Sequence, residues 1–123
     1  MTESDFTRKL LKALRRRMPQ AVILKHINPL TAGVPDFSMT LEEESMTPTD
    51  FRIRTVWCEV KLSSGNLFPP LQFETARRMD AWYIIYSPLL RKAYMFKARE
   101  REGWSKTVPL SFDELVERCV RFF

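Results

Sequence analysis

The longest strand-like run in the chain is RIRTVWCEVKL, from Arg52 to Leu62. Successive side chains of a strand point to opposite faces. Val56, Cys58, Val60 and Leu62 therefore share one face, and Ile53, Thr55, Trp57, Glu59 and Lys61 share the other. The first set is plain core. The second is apolar until it reaches a carboxylate and an ammonium two residues apart, as expected where a buried strand emerges at the rim of a site. A structural salt bridge between Glu59 and Lys61 is the alternative reading of that spacing. Such a strand needs others beside it, so the chain must form a sheet.

Upstream, Gly33-Val34-Pro35 reads as a turn and Asp36–Leu41 as the strand it leads into. Proline is tolerated at that position because it need not donate to the ladder there. By itself Asp36 is an ordinary turn aspartate. Paired beside Arg52–Leu62, it would bring a second carboxylate to Glu59 and Lys61. Two hard oxygen donors with few softer ligands suit Mg²⁺ or Mn²⁺ better than Zn²⁺.

The remaining elements follow from periodicity. Phe6, Leu10, Leu14 and Met18 recur along one stripe of a helix over 3–18, begun by a capping box at Thr2-Glu3-Ser4-Asp5. At about 100° per residue, Glu3 lies about 20° from Leu10 and Leu14. It is either a carboxylate on the apolar stripe in need of a partner or a solvated first-turn acid favoured by the helix dipole. Arg8, Lys9, Lys12, Arg15, Arg16 and Arg17 fill the other positions, a basic face suited to phosphate contact if a metal site lies nearby. AVILKHI, 21–27, reads as a strand; its His26, the single histidine, reads first as a hydrogen-bonded structural residue. The acidic connection 42–51 reads as a solvated loop.

After Ser63-Ser64-Gly65-Asn66, the pair Pro69-Pro70 opens a helix to about Ala81, with Gln72 in its first turn. Ala81–Ser87 and Lys92–Ala98 form a strand pair whose aromatic residues read mostly as core. A polar connection over Arg99–Lys106 leads to a last helix, capped at Ser111–Glu114 and buried through Phe112, Leu115, Val116, Cys119 and Val120. The order α-β-β-β-α-β-β-α is an α/β arrangement, a mixed sheet flanked by helices.

At 123 residues the chain is read as one domain, 1–123. The net charge of +5 favours polyanionic partners without requiring them. No stretch approaches the roughly 20 apolar residues of a membrane span. The acidic N-terminus does not read as a signal peptide, so no membrane partner and a cytoplasmic location are expected. Cys58 and Cys119 have no metal-ligand spacing and are read as free thiols.

Pro35-Asp36 followed by Glu59-Val60-Lys61 resembles the PD-(D/E)xK nuclease superfamily. With Gly33-Val34 before the first motif and Leu71-Gln72 after the second, it is most similar to standalone VRR-NUC domains. The resemblance covers almost the whole chain and implies a restriction-endonuclease-like core and Mg- (or Mn-) dependent hydrolysis of DNA. It implies Asp36, Glu59 and the Val60 backbone carbonyl as metal ligands, Lys61 as the group that orients water and neutralises phosphate charge, and Glu3 and Gln72 as accessory groups, Glu3 also reaching the metal. It further implies branched or Holliday-junction DNA, a homodimer, a role in DNA repair, a bacterial or phage origin, and no nucleotide cofactor. Lys9, Lys12, Arg16 and Arg77 are the candidate phosphate contacts. The gap of 23 residues between Asp36 and Glu59 and the proline-rich Leu67-Phe68-Pro69-Pro70 depart from the family pattern. With no helix-turn-helix or zinc finger evident, recognition by backbone charge and shape is expected over base readout. The alternative is a non-catalytic nucleic-acid- or protein-binding module that keeps the fold and binds without cutting.

Overall fold

The computed structural model describes residues 1–26, 33–43 and 52–123. Its elements are α1 (Glu3–Arg17), β1 (Val22–Lys25), β2 (Phe37–Glu43), β3 (Arg52–Leu62), α2 (Pro70–Arg78), β4 (Trp82–Ser87), β5 (Lys92–Lys97), a 3₁₀ segment (Ala98–Lys106) and α3 (Phe112–Val120). The order read from the sequence holds, with 3₁₀ turns over the segment read only as a polar connection. Both capping boxes form: Thr2 with Asp5 at α1 and Ser111 with Glu114 at α3. Helix α2 ends earlier than expected, because Asp80 takes a left-handed φ of 52° and turns the chain into β4. Strand β2 starts one residue after Asp36 and runs on through Glu42 and Glu43. The start of the acidic connection is thus strand; its remainder, like Ile27 at the end of the first expected strand, lies outside the described residues.

The five strands lie in the order β1-β2-β3-β4-β5. Only β3 and β4 run parallel; the other neighbours are antiparallel. A parallel pair cannot be joined by a tight turn, and α2 is the crossover. Helices cover both faces. On one, Phe6, Leu10, Leu11 and Leu14 of α1 and Leu115, Val116 and Cys119 of α3 pack on Val56, Cys58, Val60 and Leu62 of β3 and on Ile84 and Tyr86 of β4. On the other, Phe73 and Ala76 of α2 and Trp104 of the 3₁₀ segment pack on Tyr83, Ile85, Phe96 and Trp57. Each fully buried Leu or Phe of this kind contributes about 1.5–3 kcal/mol relative to exposure. Among the described residues, no helix is long and apolar enough to cross a membrane.

Strand β3 corrects one expectation. Its apolar-to-ionic face does not rise from core to rim: Ile53 is 62% exposed, whereas Glu59 is 3% and Lys61 6% exposed. The opening of the strand is its wet end, and the ionisable pair lies in its buried half.

Candidate functional site

Strand β2 stops pairing with β3 at Phe37↔Cys58, while β3 continues to Leu62 beside β4. The edge left by β2 is finished by side chains. The Val60 amide donates to Asp36 Oδ2 at 2.7 Å, and the Leu62 amide makes a long 3.5 Å contact with Glu3 Oε2. The N–H and C=O of one strand residue leave from the same edge, so the Val60 carbonyl also points toward Asp36. Glu3 is thus half-buried and engaged at the site, the first of the two readings its helical position allowed.

Three local features aim Asp36. Its own carbonyl accepts from the His26 amide at 2.8 Å, which keeps its backbone in register with β1. Pro35 is fully buried. Gly33 has φ +99°, and a Cβ there would come 2.9 Å from Thr75 Oγ1 and 3.4 Å from Leu71 Cγ. Glycine is required twice over, for the backbone angle and for the close approach. That approach seats the turn on the start of α2, next to Gln72.

One step beyond Phe37↔Cys58, the antiparallel register sets Asp36 opposite Glu59. The two carboxyls face each other under α2. Burial first, then the neighbouring Asp36 carboxyl, push Glu59 up to about 10; Lys61 opposes this and Glu3 adds to it. Lys61 Nζ is 3.9 Å from Glu59 Oε1, at the limit of an ion pair and too far to offset desolvation. The ammonium instead donates to Gln72 Oε1. Glu59 Oε2 is buried with no hydrogen-bond partner.

Among the described residues, no three His, Cys, Asp or Glu side chains cluster as a metal site by themselves. Magnesium does not need three: it is commonly held by one or two carboxylates with water completing an octahedron. Opposed carboxyls, a donorless buried oxygen and an adjacent carbonyl edge are the surroundings in which a hard cation removes an electrostatic penalty. Asp36, Glu59 and the Val60 carbonyl therefore fit Mg²⁺ or Mn²⁺.

The chain thus brings together Asp36, Glu59, Lys61, Gln72 and, more distantly, Glu3. The basic candidates are not gathered with them. Lys12 and Arg16 are both exposed on α1, and Arg16 lies about 20 Å along the helix from Glu3 at 1.5 Å per residue. Lys9 sits over the Phe112 ring at 4.6 Å. Arg77 forms a fork with Glu74 at 3.1 and 2.7 Å. His26 behaves as a structural residue, its Nε2 2.9 Å from Ser38 Oγ and its ring 5.1 Å from that of Trp57.

Two nearby residues had no local signal. Arg101, on the 3₁₀ segment, places its guanidinium 4.3 Å from the Phe73 ring centre; only the fold-back of that segment brings it there. Tyr83 is the register partner of Glu59 and is fully buried with its hydroxyl unpartnered. As one aromatic among several it read as core. No family model matches the chain, and no curated protein matches it in sequence.

Proposed function

We propose that this chain is a metal-dependent deoxyribonuclease of the PD-(D/E)xK superfamily, most like a standalone VRR-NUC domain with a restriction-endonuclease-like core. It would hydrolyse phosphodiester bonds of branched or junction DNA, as a homodimer, in the cytoplasm of a bacterium or phage-infected cell. The observation that carries this reading is the convergence of Asp36, Glu59, Lys61 and Gln72 at one end of β3, from separate stretches of sequence.

Asp36, Glu59 and the Val60 carbonyl would hold Mg²⁺, with Glu3 at its margin. When bound, the ion polarises the scissile phosphate and lowers the pKa of an attacking water. Lys61 is a buried ammonium already fixed by Gln72, so its charge meets the phosphate without reorganising, which is what stabilises negative charge building in a transition state. Gln72 acts through Lys61, holding it away from Glu59 so that the carboxylate stays available as a ligand.

The test is cleavage of plasmid, flap, single-stranded and four-way-junction DNA with Mg²⁺, Mn²⁺ or EDTA. Lys61→Ala should lower the rate by at least about 100-fold. Asp36→Asn should do the same while its amide oxygen still accepts the Val60 N–H, so that circular dichroism and melting temperature stay near wild type. Full activity in either variant rejects the assignment; salt-sensitive binding of DNA with no cleavage under any divalent ion would replace it with the binding-module reading.

A further inference from the structure

Two buried side-chain polar atoms among the described residues lack a hydrogen-bond partner, and they belong to register partners on adjacent strands: Glu59 Oε2 on β3 and the Tyr83 hydroxyl on β4. Partnered residues in register project to the same face, here the one under α2. An unsatisfied buried donor or acceptor costs about 1–3 kcal/mol, and each one in a folded domain calls for an explanation such as an ordered water or ion. A donor and an acceptor left over on register partners, not bonded to each other directly, are complementary to one water between them.

The Tyr83 ring cannot swing elsewhere. Its centroid lies 5.4 Å from Phe68, 6.1 Å from Phe73 and 5.6 Å from Phe96, a box of rings closed by α2 and β5. Burial first, then the charges of Glu59, Asp36 and Glu3, discourage ionisation of its hydroxyl, and Arg101 opposes them. The phenol is therefore a neutral donor facing the acidic end of the site. The box holds it there.

We propose that Tyr83 is a positioning residue: its O–H donates to Glu59 Oε2 through one bridging water, and fixes the rotamer in which Glu59 faces Asp36. Its effect on the cation rests on the metal-site reading above; the Tyr83–Glu59 pairing itself does not. Hydrogen-bonding partners of metal ligands commonly govern affinity by about 10–100-fold, because they hold the ligand ready.

The experiment has two arms, both on the full chain. In EDTA, thermal unfolding is measured for wild type, Tyr83→Phe, Glu59→Gln and the double variant. Phenylalanine keeps the ring and its packing and removes only the hydroxyl. Tyr83→Phe should lower the melting temperature by about 3–5 °C when Glu59 is present. In the Glu59→Gln background the same change should cost markedly less, giving a non-additive cycle. Equal effects in the two backgrounds, or no loss in either, overturn the proposal. In the second arm, Mn²⁺ binding is followed by the electron paramagnetic resonance of free Mn²⁺. Tyr83→Phe should bind about 10-fold more weakly while its circular dichroism is unchanged; wild-type affinity in that variant also overturns the proposal. If wild type itself takes up no Mn²⁺, the metal-site reading fails, and the EDTA cycle still decides the pairing.

Discussion

The two faces of the sheet are built from different materials. Under α1 and α3 the packing is mainly aliphatic, through Leu10, Leu11, Leu14, Ile23, Val56, Val60 and Leu115, and neither of the two unpartnered buried polar atoms projects there. Under α2 and the 3₁₀ segment the cluster is smaller and aromatic, and it borders Glu59, Lys61 and the Tyr83 hydroxyl. Aliphatic chains fill space with no polar demand. Rings clamp a neighbouring polar group at a fixed angle and exclude water around it. The division teaches that one face supplies stability, and that this surplus lets the other tolerate buried charge.

The contrast can be broken most directly at its strong side. Leu10, fully buried, changed to alanine should cost about 2–5 kcal/mol, read as a shifted urea midpoint with an unchanged slope. A loss below about 1 kcal/mol would erase the distinction between the faces. A smaller effect is expected where the Gly33 turn meets α2. Gly33→Ala should cost about 1–3 kcal/mol through backbone angle alone, more if Thr75 cannot yield, and should weaken Mn²⁺ binding because the turn carries Asp36.

The subtlest sharpening is a pH profile. Glu59 is raised in the folded chain from 4.5 to about 10. The folded state therefore holds a proton that the unfolded chain releases. The stability this proton confers is full below about pH 4.5 and is lost as pH climbs toward 10. In EDTA the melting temperature should fall across that window, and Glu59→Gln should flatten the fall. At the acid end the surface carboxylates Asp5, Glu74, Glu114 and Glu117 act oppositely, since each is held below its ordinary value by a hydrogen-bonding or cationic neighbour. A profile rising smoothly to about pH 9 in EDTA would contradict the buried-carboxyl account.

Much of this was legible in the chain. The stripes of α1 and α3, their capping boxes and the alternation in β3 are local patterns, and each element appears where its pattern lies. The meeting of Asp36 with Glu59 and Lys61 was legible in their strand positions, whereas Gln72 was expected there only from the family resemblance. What was hidden depends on residues far apart meeting. The burial gradient of β3 reversed because α2 and the 3₁₀ segment cover only the carboxyl-terminal half of that face, which no periodicity inside β3 records. Tyr83 read as core because its partnership with Glu59 needs the parallel register of β3 and β4. The basic face of α1 was visible as charge, yet its distance from the site is set by how the helix lies on the sheet.

Where β2 gives out, Asp36 completes the hydrogen-bonded edge with its side chain. The amide proton of Val60 is thus guarded by a carboxylate that is also a candidate ligand, and a cation drawing on Asp36 competes for the same oxygens. Deuterium exchange at that single amide would report whether a cation loads the site, with no substrate present.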